Sequence, residues 1–460
     1  MLKKIFPLTF FLFIIGLSSS LAAKVETIIQ GDVKGFENKE LKIGVYLDYI
    51  TQTKEWIASG KIENGKFRIA ISLDETRQLI LKIEDKESSF FAKPGELYNL
   101  SIDFDAKANE GRIHDKFLNI QFPFPKPGDL NLEIKKFNTA YQKFFEENYR
   151  LFIINAAGKK IENFIEEWEP KIKDEESYSS EYIRYVLANL EDLKKIPKQK
   201  LFDKYLKNKP ILYNQKEYFN FFTQLYASDF EQVVITKKGT ELLIALMMDE
   251  SLVKSKKLVK EIKGMENSQL AELYLINGLF EVYHKKVVNQ KSSMKILEEI
   301  AKKGESEGNR IIAKNTISQL KKYAAMAVAP DFNLTNTEGK KVKLSDYKGS
   351  YVYLSFWSNA SVPSLRELKV LQKFHEEYGK KIKFISINLD DDSNYSKNVK
   401  ADNNYNWPFL HIGDDFELKE QYNIKTIPSY FLIDKNGKFL QTTGTSPFEI
   451  DRKLFELNKE

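Results

Sequence analysis

The chain has 460 residues, 42% hydrophobic and 30% charged, an ordinary globular composition too long for one core, so two or three domains are expected. Its 71 basic and 65 acidic residues leave a net charge of +6 with no block of one sign, which gives nucleic-acid binding no support. Cysteine is absent, so no disulfide framework staples the fold, and stability has to come from a core for which 33 Phe and 23 Tyr supply the bulk.

Met1-Leu2-Lys3-Lys4 is a positive start, followed by an apolar run from Ile5 to Leu17 and a small-residue end, Ser18-Ser19-Ser20-Leu21-Ala22-Ala23. That tripartite pattern predicts a secretory signal over residues 1–23, cleaved near Ala22 or Ala23. The run is shorter than the roughly 20 residues a spanning helix needs, so no transmembrane anchor is expected once it is removed. A lipid anchor is not expected either, because no cysteine follows the run. The mature protein is expected to be periplasmic or secreted.

Over residues 24–121 apolar residues alternate with polar ones, as in Leu41, Ile43, Val45, Leu47 and in Phe67, Ile69, Ile71, Leu73. Period two predicts half-buried strands of an antiparallel β-sandwich. Asn64-Gly65 suits a tight hairpin, and Lys93-Pro94-Gly95-Glu96 is a second turn. The strand order, the "NGKF" hairpin and the "PGE" turn resemble the N-terminal domain of unknown function that often precedes thioredoxin-like domains in bacterial envelope proteins.

The string Phe122-Pro123-Phe124-Pro125-Lys126-Pro127 continues neither a helix nor a central strand and reads as a linker. Residues 122–328 are expected to be mostly helical. Tyr141, Phe144, Phe145 and Phe152 share one helical face, as do Ile161, Phe164, Ile165 and Trp168, and as do Met294, Leu297, Ile300 and Ala301. Stripes at this spacing are core before they are binding surfaces, and no fixed repeat supports a solenoid.

The last segment, 329–460, opens with Ala329-Pro330-Asp331-Phe332. Two β-rich runs follow, Val352 to Trp357 and Lys383 to Leu389, and then "YNIKTIPSYFLIDKNGKFL" with a turn at Asn436-Gly437. These motifs resemble the thioredoxin-like domains of the TlpA and ResA type, relatives of the redoxins. The resemblance implies an α/β domain with a cis-proline loop at Thr426-Ile427-Pro428. The whole chain is thus expected to be multidomain α+β: β-sandwich, helical middle, thioredoxin-like domain.

In active relatives of that family the helix after the first core strand opens with Cys-x-Pro-Cys. Here the place reads Ser361-Val362-Pro363-Ser364, with Ala360 where the family has Trp and Ser355 where many members carry an acid. The chemistry needs a thiolate and a resolving thiol, and a serine hydroxyl forms no disulfide. No catalytic residue is therefore assigned. Ser361 is expected to cap the helix, with Ser364-Leu365-Arg366-Glu367 offering an overlapping capping box.

A serine nucleophile would need a base. His375 lies roughly 16 to 21 Å away along the helix, too far to serve Ser361 or Ser364. His411 escapes this arithmetic, but nothing else marks a triad. His114, His284, His375 and His411 show no paired spacing, so no metal site is expected, and no cofactor motif appears. Asp390-Asp391-Asp392 lacks the glycine and later acid of a calcium loop.

What the resemblance leaves is a substrate-binding half made of Trp357, Val362, Pro363, Thr426, Ile427 and Pro428. It implies pairing with an extended polypeptide or another envelope component. The alternative from another class is an oxidoreductase acting only with a partner's thiols.

Overall fold

The computed structural model describes residues 25–109, 116–172, 176–285, 287–322, 326–390, 392–413, 415–424, 426–440 and 446–459. The expected signal at 1–23, His114 and Asp391 lie outside the described residues.

The first part holds eight strands: β1 (Val25–Val33), β2 (Glu40–Tyr46), β3 (Lys54–Lys61), β4 (Lys66–Leu73), β5 (Arg77–Ile83), β6 (Lys86–Ala92), β7 (Leu97–Asp103) and β8 (Asn119–Gln121). They form two four-stranded sheets, ordered β4-β1-β7-β8 and β3-β2-β5-β6. Strand β4 alternates strictly between exposed and buried residues, and Ile29, Ile43, Ile69, Leu81 and Leu100 meet in the core between the sheets.

Two details depart from the sequence expectation. The sandwich is not wholly antiparallel, because β1 runs parallel to β7. No hairpin dictates their direction, since the chain crosses to the other sheet and back before β7 is laid down. The approach is close enough that a Cβ at Gly31 would lie 1.8 Å from the Leu100 carbonyl oxygen, so only glycine fits. Asn64 and Gly65 do form a turn with positive φ of 53° and 67°, but β3 and β4 then part into different sheets. The Asn-Gly signal therefore makes a corner, closed by the mutual 3.0 Å bonds of Glu63 and Lys66.

Eleven helices follow among the described residues, from α1 (Leu130–Ile153) to α11 (Glu307–Lys322). Asp129 starts α1 by accepting from the Asn131 and Leu132 amides. The aromatic stripes pack inward: Phe144, Phe164 and Trp168 belong to one core, Leu297, Ile300 and Ile312 to another. The buried Asp48 carboxylate accepts from Asn315 at 2.8 Å and so ties the sandwich to α11. Burial pushes that carboxyl up, against the hydrogen bonds from Thr51 and Asn315.

The third part is a six-stranded sheet ordered β10-β9-β13-β12-β11-β14. Its strands are β9 (Asn333–Asn336), β10 (Lys341–Lys343), β11 (Tyr351–Trp357), β12 (Ile382–Asn388), β13 (Phe409–His411) and β14 (Ser429–Ile433). Its helices are α12 (Val362–Tyr378), α13 (Ser393–Asp402), α14 (Glu417–Gln421) and α15 (Asp451–Lys459). Central β11 is buried along its whole length, as a strand covered on both faces must be. Pairing begins ahead of residue 329, for the Met326 amide donates to the Phe439 carbonyl at 2.7 Å. Lys82 of the sandwich, with 10% of its side chain exposed, meets Glu420 of α14 at 2.6 Å. No helix among the described residues is long and apolar enough to cross a membrane.

Candidate functional site

The site is built where β11 stops and α12 begins. After Trp357 the chain turns through Ser358, Asn359 and Ala360, held from outside by Asp390. That carboxylate accepts from the Ser358 hydroxyl, from the Asn359 amide at 2.8 Å and from the Asn388 side chain at 2.8 Å. Ser361 then caps α12, its hydroxyl oxygen accepting from the Ser364 amide at 3.3 Å. Pro363 sits in the first turn, where a missing N–H costs nothing. Opposite lies the Thr426-Ile427-Pro428 loop with a cis Ile427–Pro428 bond, and the Ser361 hydroxyl donates to the Ile427 carbonyl at 3.4 Å.

Five of the six residues assigned to binding therefore meet at one place. Val362 is 77% exposed, Pro363 and Thr426 are exposed, and Ile427 and Pro428 are half-buried. Trp357 is the exception, at 1% exposure, with its ring 5.6 Å from that of Phe409 and its indole nitrogen without a hydrogen-bond partner among the described residues. It ends a central strand whose face is covered by α12 and α15, so it is core and offers a ligand no surface as folded.

The overlapping capping box at Ser364 does not form. Ser364 is fully buried in the first turn, and its hydroxyl has no partner among the described residues. Glu367 turns instead toward β14, where its carboxylate accepts from the Tyr430 hydroxyl at 2.6 Å. Burial pushes the Tyr430 hydroxyl well above its ordinary range, and the Glu367 carboxylate adds to this. The Tyr430 ring in turn stacks on Tyr353 with centroids 5.6 Å apart.

His411 and His375 supply no base at the site. Both ring nitrogens of His411 are occupied, Nδ1 accepting from the Gly413 amide at 3.0 Å and Nε2 bonding the Asp390 carbonyl at 2.7 Å. His375 packs near the far end of α12 against Phe384 and Trp407, and burial holds its pKa below the ordinary value. Asp392 caps α13 through the Asn394 amide, so the acidic run serves turns and caps. Among the described residues no cluster of His, Asp or Glu could hold a metal ion.

Motif reading gave Glu367 a capping role, set Asp390 in an acidic run and passed over Tyr430, and all three are neighbours of the site. A signal for Glu367 was present. Ser364, Glu367, Leu368 and Leu371 fall on one helical stripe, and all four are buried.

The family described as AhpC/TSA matches residues 326–441. A ResA thiol-disulfide oxidoreductase of Bacillus thuringiensis subsp. konkukian is 32% identical over 114 residues, 25% of this chain. The chain spans 65% of the length of this relative, so the activity and partners of the whole relative do not transfer to it as findings. The ResA protein of Geobacillus kaustophilus is 31% identical over 143 residues, covering 30% of this chain and 82% of its own length. A solved structure of a putative thiol:disulfide interchange protein DsbE from Chlorobium tepidum is 30% identical, with 30% of this chain and 95% of that one covered and a TM-score of 0.26. Through its C-terminal part the chain belongs to the thioredoxin-like thiol-disulfide oxidoreductase family of ResA, and it does so without a single cysteine.

Proposed function

We propose that the protein is an exported binding or scaffold protein whose thioredoxin-like part takes an extended polypeptide, and that it carries out no thiol–disulfide exchange of its own. The observation that carries this reading is the approach of the Thr426-Ile427-Pro428 loop to the start of α12, where the Ser361 hydroxyl donates to the Ile427 carbonyl at 3.4 Å and Val362 is 77% exposed. From this loop the chain enters β14, whose Ser429, Tyr430 and Phe431 pair with Phe356, Ser355 and Leu354. Strand addition uses main-chain hydrogen bonds for affinity and side-chain pockets for specificity, and neither needs sulfur. Export is supported by the positive, apolar and small-residue order of residues 1–23.

Family membership favours a second reading, in which the domain assists exchange between partner thiols while contributing none. An array of short peptides, each made with and without a cysteine, separates the two. Binding of extended peptides by the mature protein, lost by roughly tenfold or more in Val362→Asp at an unchanged melting temperature, is the expected result for a groove that uses Val362 as an anchor. If Val362→Asp folds and binds the same peptides equally well, the groove is not the binding surface. If only peptides with thiols bind, the second reading takes its place.

A further inference from the structure

Three helices of the middle part, α1, α3 (Tyr178–Asp192) and α5 (Lys216–Leu225), leave a cavity of about 620 Å³ between them. Clefts of this size between helices are a usual setting for small-molecule sites. Fully buried Phe137 braces two of its walls. The Tyr141 ring stacks on Phe137 with centroids 5.8 Å apart, and the Tyr182 ring meets it edge-on at 6.5 Å. Asn138 fixes Tyr182 further, its carboxamide donating to the phenol at 3.0 Å and accepting from it at 3.2 Å. Both phenols are thus in place before a ligand arrives, which spares the cost of ordering them.

No lysine or arginine lines the cavity among the described residues, and the charged residue in its wall is Glu217. This carboxylate lies in the first turn of α5, where a helix end favours negative charge. The Asn220 carboxamide donates to its Oε2 at 2.8 Å. The other oxygen, Oε1, has no partner among the described residues and is not buried. The Tyr141 hydroxyl is likewise accessible and without a partner there. Asn220 uses a donor on Glu217 and Gln224 uses one on Asp192 at 2.8 Å, which leaves their carboxamide oxygens as spare acceptors. Burial, and after it the Glu217 charge, push the Tyr141 and Tyr182 hydroxyls up to about 12, with no cation acting against them. The cavity is therefore rich in acceptors and aromatic faces, and its charge is negative. Val186, buried in its wall, adds an apolar patch.

We propose that this cavity binds a primary ammonium group carried on a short alkyl chain. The three N–H donors of the ammonium match the Glu217 carboxylate, the Tyr141 oxygen and a carboxamide oxygen, the phenol rings suit its charge, and the methylenes suit Val186. The site lies apart from the Thr426-Ile427-Pro428 loop and does not rest on peptide binding there.

Such a group comes either as a free diamine or as a lysine side chain. Calorimetric titration of the mature full-length protein tests the site, with 1,5-diaminopentane, Nα-acetyl-lysine amide and neutral 1-pentanol as probes. One or both amines should bind, and pentanol should bind at least about tenfold more weakly, as expected when a charge-assisted hydrogen bond is lost. The amine that binds better identifies the source. Glu217→Gln keeps the side chain's shape and should weaken amine binding by about tenfold at an unchanged melting temperature. Tyr141→Phe should weaken it several-fold, and it tests the site without touching Glu217, because the hydroxyl it removes has no partner among the described residues. Failure of both amines to bind, pentanol binding as tightly as the amines, or full amine binding by folded Glu217→Gln or Tyr141→Phe each overturns the proposal.

Discussion

Ser361 and Ser364 stand one helical turn apart and have opposite surroundings. Ser361 is half-exposed and bonded both to its helix and to the Ile427 carbonyl, whereas Ser364 is wholly buried with an orphan hydroxyl. That asymmetry is what a thiol pair would need, an accessible attacker at a helix N-terminus and a sheltered resolver behind it. Ser361→Cys combined with Ser364→Cys is therefore expected to bring measurable disulfide reduction with dithiothreitol to a chain that has no thiol of its own, as followed by insulin turbidity. No gain in a folded double variant would mean that the turn held by Asp390 no longer presents the first position correctly. Capping by Ser361 was legible in the sequence, because a serine followed by proline and an apolar run is a helix start wherever it occurs. The stripe of Glu367 with Leu368 and Leu371 marks its burial, but its partner Tyr430 was not legible, because spacing does not name a strand distant in sequence.

His375 carries a pH dependence whose sign follows from its burial. Its pKa in the folded state lies below the ordinary value of 6.5, chiefly through desolvation, with Glu376 opposing and Lys383 adding to the shift. Nδ1 is buried without a partner among the described residues. The unfolded chain therefore binds the proton more readily, so stability is retained above the unfolded pKa and lost as pH falls below it. Urea midpoints between about pH 7 and pH 5 should drop more steeply for the native chain than for His375→Gln. Equal slopes would show that the imidazole is hydrated.

At the scale of elements, strand and helix types followed their periodicity, and what the sequence withheld was direction and partnership. The alternation of Phe67 to Leu73 shows which face is buried but not that β1 lies between an antiparallel and a parallel neighbour, a matter of contacts some 70 residues apart. The β-rich run Val352 to Trp357, apolar except for Ser355, becomes a strand buried on both faces, and that burial takes Trp357 out of the ligand surface. Gly31 is where the unforeseen parallel pair is most exposed to test. Any Cβ there overlaps the Leu100 carbonyl, so Gly31→Ala has to push β1 away from β7. It should cost about 3 kcal/mol, the upper end of overpacking effects, in urea unfolding followed by far-UV circular dichroism. A cost below about 1 kcal/mol would mean that the pair is looser than described.

Across the whole molecule the three parts meet around α14. This short helix carries Glu420, which Lys82 of the sandwich holds, and the chain runs from it through Ile424 into the Thr426-Ile427-Pro428 loop. Three parts that the sequence marks only as separate segments are thus joined through charged and polar side chains, among them Asp48 with Asn315. Such contacts leave no periodic trace in the sequence, which is why they were not legible there while the two-residue and 3.6-residue patterns were.

Backbone hydrogen exchange on the mature protein, with and without an extended cysteine-free peptide taken from the array, tests the central claim most directly. Slower exchange confined to Ser429–Phe431 and the Thr426 loop, with the helical middle unchanged, is the result expected if a polypeptide pairs beside the Thr426-Ile427-Pro428 loop. Protection that appears in the sandwich or the helices while β14 exchanges as before would contradict it.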